Sequence, residues 1–168
     1  MLNNLSFDII EYICDFINFN SQINFTNINK TYNKKRFITN LYTKYSLTND
    51  ILKKYPYIKR LNLNNNKYVN DISYLTRIIK LDISGFCIIE QHNINHLNNL
   101  IELDTSNNIN INNLSKFEKL EIIHLNGICN ITSNEINKLS KLKHISFKYN
   151  PFYKEIIDNL QYNISIEL

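Results

Sequence analysis

Asp82, Asp104 and His124 are residue types that can share a metal ion or a proton, and they follow one another at intervals of 22 and 20 residues. Carboxylate and imidazole suit divalent transition metals. Each stands on its own segment, however, with no second shell in the sequence to orient it, so the pattern predicts no metal centre. His92 and His96 have i, i+4 spacing, but Q-H-N-I-N-H lacks the Glu of a zinc-protease helix. Cys14 has no His nearby in sequence to draw off its proton. No G-x-S-x-G turn, phosphate loop or dinucleotide glycine motif occurs, and two glycines leave little room for one. The expectation is a protein that is not an enzyme and uses no cofactor. Lys34, Lys35 and Arg36, with Lys30 and Lys44 nearby, form the one dense basic cluster. A formal charge of +4 and so short a cluster argue against nucleic acid as a partner.

The spacing of those candidate groups comes from the elements that carry them. The stretch L-I-E-L-D-T-S-N-N from Leu100 to Asn108 has apolar residues at places one and four and Asn at place nine. Ile58, Leu61, Leu63 and Asn66 fill the same places, as do Leu142, Ile145, Phe147 and Asn150. Two further units begin at Ile78 and Leu120, but Phe86 and Ile128 replace their Asn, with Gly85 and Gly127 before and Cys87 and Cys129 after. Starts at 58, 78, 100, 120 and 142 are spaced 20, 22, 20 and 22 residues. The array is therefore a 42-residue double repeat, and its period falls within the ~20 to 29 residues of leucine-rich repeats. A strand alternates its side chains, so Leu61 and Leu63 point inward and Arg60, Asn62 and Asn64 outward. Val69, Ile72 and Leu75, matched by Ile111, Leu114 and Phe117, supply a second apolar wall on the return path. No single unit can bury its apolar edge alone, so neighbours must stack.

The fold class expected is α/β: a small N-terminal three-helix module, then a leucine-rich-repeat solenoid with a parallel concave sheet of five to six short strands. Residues 1–47 form the helical module, 48–57 a linker and capping segment, and 58–168 the repeats. In the linker Thr48 can cap a helical turn through Ile51 and Leu52 that Pro56 stops. Ile164, Ile166 and Leu168 alternate with polar residues and read as a last strand. Cys87 and Cys129 stand two units apart, about 10 Å at ~4.8 Å per strand, beyond disulfide reach. They are expected as buried thiols. No apolar run reaches the ~18 residues of a membrane span, and an intracellular location, cytoplasmic or nuclear, is expected.

In the N-terminal module Ser6 can cap a helix in which Ile9, Ile10, Ile13, Phe16 and Ile17 recur at helical spacing. Ser21 can cap a second, and Phe37 to Leu47 has the spacing of a third. The segment L-S-F-D-I-I-E-Y-I-C-D-F-I from Leu5 to Ile17 resembles the opening of the F-box family, L-P-x-E-I-L-x-x-I-x-x-x-L. Leu5, Ile9, Ile10, Ile13 and Ile17 match, and Asp8 stands for the acidic residue. Ser6 replaces the usual Pro, and no Trp closes the motif. An N-terminal F-box followed by leucine-rich repeats is a common arrangement in that family.

The resemblance implies an adaptor that docks on the linker subunit of a cullin-RING ubiquitin ligase through Leu5, Ser6, Phe7, Ile9, Ile10, Ile13 and Ile17. The excess of Asn and Ile, by contrast, suits an AT-rich genome of amoebal or giant-virus type. The resemblance also implies a protein target held on the concave repeat face. If the strands align, the outward residues there include Arg60, Asn62, Lys80, Asp82, Glu102, Asp104, His124, His144 and Lys148. Such a charge-patterned face suits a protein or peptide. The alternative is a free-standing interaction scaffold whose N-terminal helices merely cap the first unit.

Overall fold

The computed structural model describes residues 39–42, 47–161 and 163–168, together with three helical residues, Ile9, Ile13 and Ser21. The chain is α/β. Among the described residues its sheet holds seven strands in chain order, every neighbouring pair parallel. They are β1 (Asn40–Tyr42), β2 (Arg60–Asn62), β3 (Lys80–Asp82), β4 (Glu102–Asp104), β5 (Ile122–His124), β6 (His144–Ser146) and β7 (Ser165–Glu167). Four short helices lie on the return paths: α1 (Asn49–Leu52), α2 (Gln91–Ile94), α3 (Ser133–Ile136) and α4 (Tyr153–Asp158). Parallel neighbours need such a crossover, because a tight hairpin would reverse the strand.

In each unit the strand covers places three to five. The register sets place four on place four along the sheet, pairing Leu61 with Leu81, Leu81 with Leu103 and Leu103 with Ile123. Those side chains are buried, as are the place-one residues Ile58, Ile78, Leu100, Leu120 and Leu142. The second wall of the core comes from the return paths, where Val69, Ile72, Leu75, Leu114 and Phe117 are fully buried. Each such side chain taken wholly out of water contributes about 1.5 to 3 kcal/mol. Between β3 and β4, and between β5 and β6, the two additional residues of the longer units go into the helical turns α2 and α3. The shorter units after β2 and β4 return through turns alone.

The Asn at place nine closes the exit from the strand. Asn66 donates from Nδ2 to the Leu47 carbonyl (2.9 Å) and accepts from the Tyr68 and Val69 amides. Asn108 does the same for the Ile83 carbonyl (2.7 Å) and the Asn110 amide, and Asn150 for the Leu125 carbonyl (2.7 Å) and the Phe152 amide. A buried carbonyl left without a donor is costly, which explains an amide at this place. In the longer units that interior position passes to Cys87 and Cys129. The Cys129 thiol donates to the Thr105 carbonyl at 3.4 Å, while Phe86 and Ile128 turn outward. Both thiols are free, and burial pushes each up to about 11.

Place eight takes positive φ in all five units: Asn65 (54°), Gly85 (69°), Asn107 (55°), Gly127 (67°) and Tyr149 (58°). Asn tolerates this conformation and Gly adopts it freely. At Gly85 and Gly127 a second constraint applies. A Cβ there would lie 2.3 Å from Oδ1 of Asn65 and 2.0 Å from Oδ1 of Asn107, respectively. Those amide oxygens accept hydrogen bonds from the Phe86 and Ile128 backbones, each at 3.2 Å.

The sheet also extends further toward the N-terminus than the residue pattern predicted. Phe37 to Leu47 was expected to be a third helix of residues 1–47, yet Asn40–Tyr42 is a strand with Leu41 set on Leu61. The sheet accordingly has seven strands among the described residues, against the five to six expected. Residues 48–57 form the return path between β1 and β2, with Leu47 and Leu52 in the common core. Thr48 caps α1 as expected, its hydroxyl accepting from the Ile51 amide at 3.4 Å. The expected helices after Ser6 and Ser21 lie outside the described residues except at Ile9, Ile13 and Ser21. Among the described residues no helix is long and apolar enough to cross a membrane.

Candidate functional site

Strand register places the outward side chains in rows. The first runs Arg60, Lys80, Glu102, Ile122 and His144; the second runs Asn62, Asp82, Asp104, His124, Ser146 and Glu167. Just beyond the strands Asn64, Ser84, Ser106, Asn126 and Lys148 carry the face onto the exit loops. Among the described residues, ion pairs link neighbouring units on this face. Lys80 Nζ lies 2.5 Å from Glu102 Oε2, and Lys148 Nζ lies 2.7 Å from Glu167 Oε1. His124 and His144 stand edge to face with ring centroids 6.3 Å apart, each 4.0 Å from a carboxylate oxygen, of Glu102 and Glu167 respectively.

The carboxylates of the second row first serve the backbone. Asp82 Oδ1 accepts from the Ser84 amide (3.0 Å) and hydroxyl (2.5 Å), and its Oδ2 accepts from Asn62 Nδ2 (2.7 Å). Asp104 Oδ1 accepts from the Ser106 amide at 2.9 Å, and Asn62 Oδ1 likewise from the Asn64 amide. Burial pushes the Asp82 carboxyl above its ordinary value; the charge of Asp104 adds to this, and the hydrogen bonds from Ser84 and Asn62 oppose it. Among the described residues neither Asp82 nor Asp104 takes part in an ion pair. At the last strand, hydrogen bonds from Lys148 and Ser146 hold Glu167 below the usual carboxylate range.

Asp82, Asp104 and His124 border one recess of about 190 Å³ with Lys80 and Glu102. Among the described residues no group of three or more His, Cys, Asp or Glu side chains is arranged to hold a metal ion. His92 is exposed, 3.4 Å from Glu90, whereas Nε2 of His96 is buried with no hydrogen-bond partner among the described residues. Burial moves the His96 ring below its ordinary value. Of the N-terminal candidates, Leu5, Ser6, Phe7, Ile10 and Ile17 lie outside the described residues. Ile9 is helical and 48 % exposed, and Ile13 is helical and half-buried.

Two features of this face escaped the residue pattern. Glu167 completes the second row: the alternation Ile164, Ile166, Leu168 had given the strand, but not the register that sets Glu167 beside Ser146. The second feature is a groove of about 860 Å³ along the rim where the strands end, lined by Asn65, Phe86, Asp104, Asn107, Asn126 and Ile128 among others. Phe86, Ile109 and Ile128 are 75, 55 and 58 % exposed there. The departure of Phe86 and Ile128 from the Asn place was visible in sequence, but that they turn outward was not. No protein-family model matches the chain, and no curated protein resembles it closely enough to count as a match.

Proposed function

We propose that the protein is a protein–protein interaction adaptor built as a leucine-rich-repeat solenoid, and that it recruits a target to a cullin-RING ubiquitin ligase. The observation that carries the interaction reading is the row pattern. Charge changes sign in blocks along one open face of parallel strands, from Arg60 and Lys80 through Glu102, Asp82 and Asp104 to Lys148. Complementary charge of that kind selects a protein partner and sets its register more than it adds affinity. The ligase half of the reading rests on the resemblance of residues 5–17 to an F-box.

On this reading Leu5, Ser6, Phe7, Ile9, Ile10, Ile13 and Ile17 bind the ligase linker subunit, and the repeat face holds the target. The mechanism is proximity. The protein makes no bond itself but raises the effective concentration of target lysines near the ubiquitin-carrying enzyme. One observation favours the second reading, a free-standing scaffold with a helical cap. Asn40–Tyr42 belongs to the sheet, which takes the third helical stretch away from an F-box module. Binding of the purified chain to a eukaryotic ligase linker subunit separates the two, with Leu5→Asp, Ile9→Asp as control. Binding that the double variant abolishes supports the adaptor. No binding by a folded chain leaves the scaffold.

A further inference from the structure

The groove along the strand-exit rim has a period of its own. Phe86 and Ile128 hold the same place two units apart, each beside a glycine that the Asn of the preceding unit overlies. Two strand spacings of ~4.8 Å set such equivalent places about 10 Å apart. A β-strand lying along the groove would present side chains on one face every ~6.6 or ~13 Å, which misses that interval. A polyproline-II helix has three residues per turn and rises ~3.1 Å per residue, so residues i and i+3 fall on one face about 9.3 Å apart. Its carbonyls make no internal hydrogen bonds. The side-chain N–H groups of Asn107 and Asn126, which line the groove, have no acceptor among the described residues. Between the two apolar positions lies Asp104, with Asp82 beside it on the next strand and no ion pair to either among the described residues. Lys67, 5.3 Å over the Phe86 ring, and Lys148, paired with Glu167, bracket that negative centre.

We propose that this rim groove docks a proline-rich segment of another protein in the polyproline-II conformation, with apolar side chains three residues apart and an arginine or lysine between them. The apolar pair seats beside Phe86 and Ile128, the cation meets Asp104, and the Asn107 and Asn126 amides donate to the peptide's carbonyls. The inference rests on the interaction reading above and names the chemistry of one partner.

The test is fluorescence anisotropy of the full chain with labelled Pro-Leu-Pro-Arg-Leu-Pro-Pro, against Pro-Leu-Arg-Leu-Pro-Pro as the wrong-period control. Saturable binding is expected, at least about tenfold weaker for the control, which is about 1.4 kcal/mol. Phe86→Asp with Ile128→Asp, both on exposed side chains, is expected to weaken binding by at least about tenfold, and Asp104→Asn by about threefold or more. Absence of saturable binding to the wild-type chain, equal binding of both peptides, or indifference to the rim variants would overturn the proposal. Linker-subunit binding depends on residues 5–17, so it survives a failure here and reports separately on the adaptor reading.

Discussion

The side-chain amide of Asn65 lies against the backbone of Gly85, where its Oδ1 accepts from the Phe86 amide and fills the space a Cβ would need. Asn107 repeats the arrangement over Gly127. Gly85→Ala therefore meets two obstacles, a φ of 69° and a contact at 2.3 Å. The expected loss is about 3 kcal/mol, of which ~1 to 2 belong to the left-handed backbone and the rest to the displaced amide. Asn65→Gly in the same chain is expected to restore the second part only. Urea denaturation of the single and double variants measures this, and a double variant no more stable than Gly85→Ala would refute the steric link.

Tyr149 occupies the same left-handed place in the last unit, with φ 58° and 96 % of its surface exposed. Its ring has little packing to lose, so Tyr149→Asn is expected to stabilise the fold by about 1 kcal/mol through relief of backbone strain. A lower urea midpoint for the variant would contradict this account.

Two buried polar side chains three residues apart have opposite value. Asn108, 2 % exposed, satisfies the Ile83 carbonyl and the Asn110 amide, whereas Thr105, 0 % exposed, has a hydroxyl with no partner among the described residues. Asn108→Leu is expected to cost about 3 kcal/mol and Thr105→Val to gain about 1 kcal/mol. Thermal unfolding of the two variants gives the comparison. A destabilised Thr105→Val would show that the hydroxyl is bonded after all.

His96 makes stability depend on pH. Burial depresses its ring below the ordinary value of 6.5, so the folded protein favours the neutral form. The stability it contributes is present above the unfolded value and is lost as pH falls through the folded one. Urea midpoints at pH 8 and pH 5 are expected to differ less for His96→Leu than for the wild type. Equal differences would mean that another group controls the slope.

Most of the sheet was legible in the sequence, because an inward residue every second position in a strand is a strong constraint when it recurs in five units. The rows of Arg60, Lys80 and Glu102 and of Asn62, Asp82 and Asp104 follow from that register alone. The strand at Asn40–Tyr42 was hidden because Phe37, Ile38, Leu41, Tyr42 and Tyr45 also fit a helical stripe. Thr43 stands where four of the five other units have an apolar residue, and Ser46 where three of them have Asn. Pairing with Arg60–Asn62 decides between the two periods, and that is a tertiary effect. The rim groove was hidden for a related reason. The glycines at 85 and 127 were plain in the sequence, but the cause of each is a side chain 20 residues earlier. A unit read by itself does not reveal what its neighbour places against it.

The alternation of Asn and Gly at the left-handed place also limits how the array can change in length. Each longer unit offers a bare backbone on which the Asn of the shorter unit before it rests. Deleting the unit that begins at Ile78 would set Asn65 against Asn107, two side chains competing for the space that one now fills. Gain or loss of 42 residues preserves every such contact, whereas a change of 20 or 22 breaks one. The pair of units is therefore the step by which the array can lengthen or shorten without a clash at the left-handed place.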